Sequence, residues 1–169
     1  MAWWVPFNEA WGQFDTEKVV AFTKEKDPTR LVNEASGGNF HFAGDILDAH
    51  HYPEPKMNVF ERTKINVLGE YGGIGYAVKG HMWLPEGQNW GYAGLCKTPE
   101  EALGRYALYA KRLKMLIATG CAAAVYTQTT DVEIEVNGLM TYDRLDKYSA
   151  AAIRTINEDV IATPNWIER

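Results

Sequence analysis

Ile65-Asn66-Val67-Leu68-Gly69-Glu70-Tyr71-Gly72-Gly73 is an apolar run that stops at a carboxylate and then at glycine. Without strict alternation of polar and apolar residues, it fits a strand covered on both faces, which the glycines end. The start of the chain has the same form, with Trp3-Trp4-Val5-Pro6-Phe7 running into Asn8-Glu9. Strands buried on both sides imply a parallel sheet layered with helices, because crossover connections lay helices over its faces. In such sheets reactive groups collect at the carboxyl ends of the strands. Glu9 and Glu70 are therefore expected at one mouth.

Outward from that strand the pattern repeats. Leu31-Val32-Asn33-Glu34, residues 46–52 and residues 121–127 read as further strands, the second of these stopped by Pro53. Asp15 or Thr16 is expected to cap a helix carrying Val19, Val20 and Phe22, which ends at Asp27-Pro28 because a residue before proline leaves helical geometry. Residues 58–63 read as a short helix. Thr98-Pro99-Glu100-Glu101 starts a longer one, with Thr98 as N-cap, proline at the first helical position and Glu101 placed for a capping box. Leu103, Tyr106, Ala107, Ala110, Leu113, Leu116 and Ile117 give it an apolar stripe, and Gly120 ends it. Residues 132–136 and 139–142 read as a hairpin turning at Asn137-Gly138 with type I′ geometry, and a last helix is expected from about 145 to 160. Residues 71–98, rich in Gly, Trp and Tyr, have the composition of an active-site loop. The expectation is one α/β domain over residues 1–169.

Charge narrows the classes of partner. With 17 basic and 22 acidic residues the formal charge is −5, and the basic residues are scattered, which argues against nucleic acid. No stretch reaches the roughly 20 apolar residues that span a bilayer, and Met-Ala-Trp-Trp carries neither the basic flank nor the long apolar run of a signal peptide. No membrane partner is expected, and the compartment stays open. Cys96 and Cys121 form no CxxC motif or disulfide framework and read as plain thiols. The 6 Trp, 9 Tyr and 6 Phe suit either sugar-binding faces or a large aromatic core.

Two carboxylates at one mouth are what glycoside hydrolysis needs: one attacks or activates water while the other protonates the leaving oxygen. Asn8-Glu9-Ala10-Trp11-Gly12 resembles the acid/base motif at the fourth barrel strand of family 2 glycoside hydrolases, the beta-galactosidase group. Gly69-Glu70-Tyr71-Gly72-Gly73 resembles their nucleophile motif at the seventh strand, and Ala49-His50-His51-Tyr52-Pro53 falls where a sixth-strand tyrosine contacts the nucleophile. Thr127-Gln128-Thr129-Thr130-Asp131-Val132-Glu133, with Asn137-Gly138-Leu139 and Thr141-Tyr142-Asp143-Arg144, resembles the eighth-strand end in a bacterial branch of the family. The resemblance covers nearly the whole chain.

It implies strands four to eight of a (β/α)8 barrel, which in full takes about 250 residues. The family's N-terminal β-sandwich domains and first three barrel strands, one of which brings an arginine to the sugar, are not in this sequence. A half-barrel would expose sheet edges, so self-association that covers them is expected, and so is a fragment active only with its missing part. The implied reaction is retaining cleavage of a β-linked sugar without a cofactor, with Glu9 as acid/base and Glu70 as nucleophile. Trp11 is expected to wall Glu9 and raise its pKa, Tyr52 to donate to Glu70, and Asn8 to bind the sugar 2-hydroxyl. No Asn-x-Lys signature of the kind beta-glucuronidases use is present.

Other residues carry open readings. Of His50 and His51, one is expected to face the barrel and one the mouth, and either could touch sugar. Trp83, Trp90 and Tyr92 either stack on a sugar or pin the long loop, while Gln128 and Asp131 read as subsite contacts. A metal site built from His41, His50, His51, His81 and Asp48 lacks any i, i+4 pair, so none is expected. Gly72-Gly73-Ile74-Gly75 follows a carboxylate and precedes no clear helix, which argues against a phosphate loop.

Overall fold

In a computed structural model, residues 2–164 are described. The chain is a mixed α/β structure with the order β1 (Trp3–Trp4), α1 (Thr16–Lys26), β2 (Leu31–Val32), β3 (Ile46–His51), β4 (Ile65–Gly72), α2 (Pro99–Ala118), β5 (Cys121–Thr127) and α3 (Ala150–Ile161). The strands pair in parallel, β1 with β2 in one small sheet and β3-β4-β5 in another. A single parallel bridge from Asn33 to Ile46 links the two, and Asn8 bridges Ser36 beyond β1. Spatial order therefore follows chain order, and no described strand pairs with the outer edge of β1 or β5.

The helices form where local chemistry predicts them. α1 ends at Lys26, before Asp27-Pro28, with Asp15 at its N-cap position but no cap bond from the Asp15 side chain. In α2 the Thr98 side chain accepts from Glu101 N at 3.2 Å, and Glu101 Oε2 accepts from Lys97 N at 2.8 Å, so the two side chains satisfy two amides that the first turn leaves open. One face of α2 buries Ala102, Tyr106, Tyr109, Ala110 and Leu113 against β4 and β5. Leu68, Tyr71, Ile74 and both cysteines share that core, and Tyr126 packs edge-on to Tyr71 and Tyr106. Part of the aromatic wealth is thus core, while Trp11, Trp83, Trp90 and Tyr92 stay exposed.

Three expected elements differ. Residues 58–63 form turns and no helix, because Asn66 accepts from Glu61 N at 2.8 Å and donates to Glu61 O at 3.0 Å, taking up backbone groups that a helix would have used. No strand pair spans residues 132–142, and neither Asn137 nor Gly138 adopts the positive φ that a type I′ turn demands. Gly138 is there for close approach: a Cβ would lie 2.3 Å from Asp131 N, and Gly138 N donates to Asp131 Oδ1 at 2.8 Å. The last helix starts at Ala150, well after residue 145, since Leu145 and Thr141 exchange hydrogen bonds and Lys147 is drawn into the interior. No described helix is long and apolar enough to cross a membrane.

Candidate active site

The carboxyl ends of β3, β4 and β5 and the segment after β1 converge on one mouth. β3 and β4 run in register until an irregularity between Ala49 and His50, which sets His50 opposite Glu70. Across the sheet, Gly72 stands opposite Thr127. Glu9 arrives from the turn after β1, with φ of 50° and its amide donating to Ser36 O at 2.8 Å.

His50 reaches both carboxylates. Its Nδ1 lies 3.0 Å from Glu9 Oε1 and 3.6 Å from Glu70 Oε2. Its Nε2 lies 2.7 Å from Ser36 Oγ, which donates its one hydrogen to Asp48 Oδ2 at 2.7 Å. Ser36 must then accept from His50, so Nε2 carries the hydrogen. Nδ1 either donates to an ionised Glu9 or accepts from a protonated one, and in both cases the Glu9–His50 pair holds a proton at the mouth. Asp48 is buried and also accepts from Asn33 Nδ2 at 2.6 Å and Gly69 N at 2.6 Å. Burial pushes its carboxyl up, against the lowering effect of those donors. Gly37 lines the ring: a Cβ there would sit 2.3 Å from His50, and its φ of +61° is one that side chains rarely adopt.

On the other side Tyr52 holds Glu70. Its hydroxyl donates to Glu70 Oε2 at 2.5 Å and is hydrogen-bonded to Thr127 Oγ1 at 2.6 Å. Burial first, and then the bond to Glu70, push the hydroxyl far above its ordinary range, so it stays a donor at any working pH. The Tyr52 ring stacks on Tyr92 with centroids 3.6 Å apart and planes 7° apart, and Trp90 meets Tyr92 edge-on at 5.1 Å. The Tyr92 hydroxyl is raised by burial first and then by the charges of Glu135, Glu9 and Glu70.

The other candidates divide. Asn8 is fixed by its bridge to Ser36, and its side chain has no hydrogen bond among the described residues. Trp11 is 82% exposed and forms no wall over Glu9. That expected source of burial for the acid is corrected: Trp11 lies in solvent, while Phe7 and Phe14 of the same segment pair edge-on with each other. His50 is the histidine at the carboxylates, while His51 turns its Nδ1 to Glu54 O at 2.7 Å. Trp83 is exposed and packs edge-on against Tyr142 at 5.7 Å, which pins two loops together. Gln128 donates to Asn137 Oδ1 at 2.8 Å. Asp131 is buried, paired with Lys147 at 2.6 Å, so its carboxylate is occupied by the loop that holds it.

Ser36, Thr127 and Glu135 escape the sequence reading as site residues, and Asp48 enters it only as a candidate metal ligand. Asp48 alone leaves a signal, as a charged residue in the middle of an apolar strand, which is stable only with partners. Glu9, His50 and Glu70 each offer one ligand atom, all within 4.8 Å of one another, a donor set able to take a divalent cation. Its two carboxylates lie outside the histidine-centred metal reading considered above. No protein-family model matches the chain, and a search of curated proteins finds no match.

Proposed function

We propose that the chain carries the catalytic mouth of a retaining glycoside hydrolase acting on a β-linked neutral sugar, of the beta-galactosidase type its motifs resemble. One observation carries this reading: Glu9 and Glu70 each bring one carboxylate oxygen within 4.8 Å of the other's, and both approach His50 Nδ1, at 3.0 and 3.6 Å. Retaining enzymes hold their carboxyl groups about 5 to 5.5 Å apart, and inverting enzymes leave roughly 6.5 to 9.5 Å for a water. Glu70, oriented by Tyr52, attacks the anomeric carbon. Glu9, sharing a proton with His50, protonates the leaving oxygen and then activates water to release the sugar. Parallel strands in chain order fit strands four to eight of a (β/α)8 barrel, with the carboxylates at its carboxyl-terminal face.

The second reading is a catalytically incomplete half-barrel, a structural or sugar-binding piece that works only with further strands. The outer edges of β1 and β5, which no described strand pairs, favour it. One experiment separates the two. The purified chain is assayed against aryl β-glycosides with Glu70→Gln as control, and the anomer first released is followed by proton NMR. Release of the β-anomer, abolished by Glu70→Gln, supports the first reading. A folded chain with no turnover that still binds the sugars supports the second, and α-anomer as first product rejects the retaining mechanism.

A further inference from the structure

We infer that Glu135 is a specificity-determining residue of this mouth, accepting hydrogen bonds from sugar hydroxyls and turning away sugars that carry a carboxylate. The inference rests on the glycosidase reading and names its substrate class.

Glu135 is held from both main chain and side chain. Trp90 N donates to Ile134 O at 2.9 Å and Val136 N to Trp90 O at 3.0 Å, so Glu135 lies clamped beside Trp90. Its amide and carbonyl are also bonded to Val132, at 2.9 and 3.1 Å. Asn137, fully buried, donates its Nδ2 to Glu135 Oε1 at 2.7 Å, and its Oδ1 accepts from Gln128 Nε2 at 2.8 Å. With both ends of the amide engaged, Asn137 can present only its donor to Glu135. Oε2 has no partner among the described residues, and the side chain is only partly buried.

The Glu135 backbone is bridged to Trp90, which begins an aromatic wall. Trp90 leads to Tyr92, Tyr92 stacks on Tyr52, and Tyr52 bonds Glu70. On this inference a sugar ring seated against the wall places its anomeric carbon at Glu70 and turns its outer hydroxyls toward Glu135. A pre-oriented carboxylate is a strong acceptor for such hydroxyls. Its charge has a further effect: no lysine or arginine among the described residues hydrogen-bonds to Glu9, Glu70 or Glu135. A uronic acid would bring a further negative charge to a mouth where no lysine or arginine receives it.

The test measures kcat/KM of the full chain on nitrophenyl β-D-galactoside, β-D-glucoside and β-D-glucuronide. Wild type, Glu135→Gln and Glu133→Gln are compared, with circular dichroism confirming that each folds. Glu133 is an exposed carboxylate two residues away and controls for net charge. The expected result is a neutral-sugar rate at least about 100-fold above the glucuronide, cut about 10-fold or more in Glu135→Gln with the ratio narrowed likewise, and unchanged in Glu133→Gln. Equal narrowing in both variants, or no preference in wild type, overturns the inference. If nothing is hydrolysed, calorimetric titration with the same galactoside and glucuronide decides: galactoside binding that Glu135→Gln weakens about 10-fold keeps Glu135 as the selector though hydrolysis has failed, and no binding of either sugar removes both readings.

Discussion

Replacing Tyr52 by phenylalanine removes one oxygen and leaves the ring stacked on Tyr92. The lost hydrogen bond to a charged group is worth about 1.5 to 3 kcal/mol, so kcat/KM on an aryl β-glycoside is expected to fall on the order of 10- to 100-fold. The thermal midpoint should move by only a few degrees, and an unchanged rate would remove Tyr52 from the mechanism. Glu34 makes a structural prediction at the same scale. It is buried, and its carboxylate accepts from the amides of His41, Phe42, Ala43 and Gly44 at 2.7 to 3.1 Å. Burial pushes the carboxyl up, but the four amides outweigh it and hold it below its ordinary range. A lowered folded value means that this stability is present above the unfolded value of about 4.3 and is lost as pH falls through the folded one. Glu34→Gln should cost about 2 kcal/mol or more in urea unfolding at pH 7, with the gap to wild type closing toward pH 3. A gap that is constant with pH would show that the charge is not what the amides hold.

Among the elements, the segment after β5 is held by one buried lysine. Lys147 is buried and gives its three ammonium hydrogens to Asp131 Oδ1 at 2.6 Å, Tyr76 O at 2.8 Å and Val136 O at 3.0 Å. One side chain thereby joins the loop after β4 to the loop after β5, the two loops that carry Tyr92 and Glu135. Lys147→Met would strand a buried carboxylate and two carbonyls, and is expected to destabilise the chain by about 3 to 5 kcal/mol. Adding Asp131→Leu should recover part of that loss, since removing both charges leaves neither unpaired. The double variant being no more stable than Lys147→Met, measured by denaturant unfolding, would contradict the pairing. The elements with local signals are the legible ones: Thr98, Pro99 and Glu101 mark the start of α2, and Asp27-Pro28 marks the end of α1. Asn137-Gly138 misled because glycine serves close approach as readily as a turn, and only the neighbouring backbone of Thr130 and Asp131 distinguishes the two.

At the scale of the molecule the sheet edges that no described strand pairs, with their apolar neighbours, set the behaviour. Trp4 and Val5 are exposed at or beside β1, as are Val125 on β5 and Ile161 at the end of α3. Exposed edges with apolar flanks invite pairing with another copy. Light scattering coupled to size exclusion should show the apparent mass rising above the monomer value as concentration increases from about 1 to 100 µM, the range in which a weak interface saturates. A constant monomer mass over that range would mean that these edges are protected in solution.

The sequence by itself determined the strands β3, β4 and β5, the helices α1 and α2, and the placing of Glu9 and Glu70 at the ends of apolar runs. Those features are written in local chemistry: apolar runs, caps and prolines act over a few residues and need no partner from elsewhere in the chain. The tertiary structure alone decided that His50, and not His51, reaches both carboxylates, and that Asp48 and Ser36 orient it. It also decided that Trp11 lies in solvent and that Asp131 is spent on Lys147. Each of these depends on an irregularity in strand register or on a contact between residues far apart in sequence, and neither leaves a trace in the spacing of residues along one strand or helix.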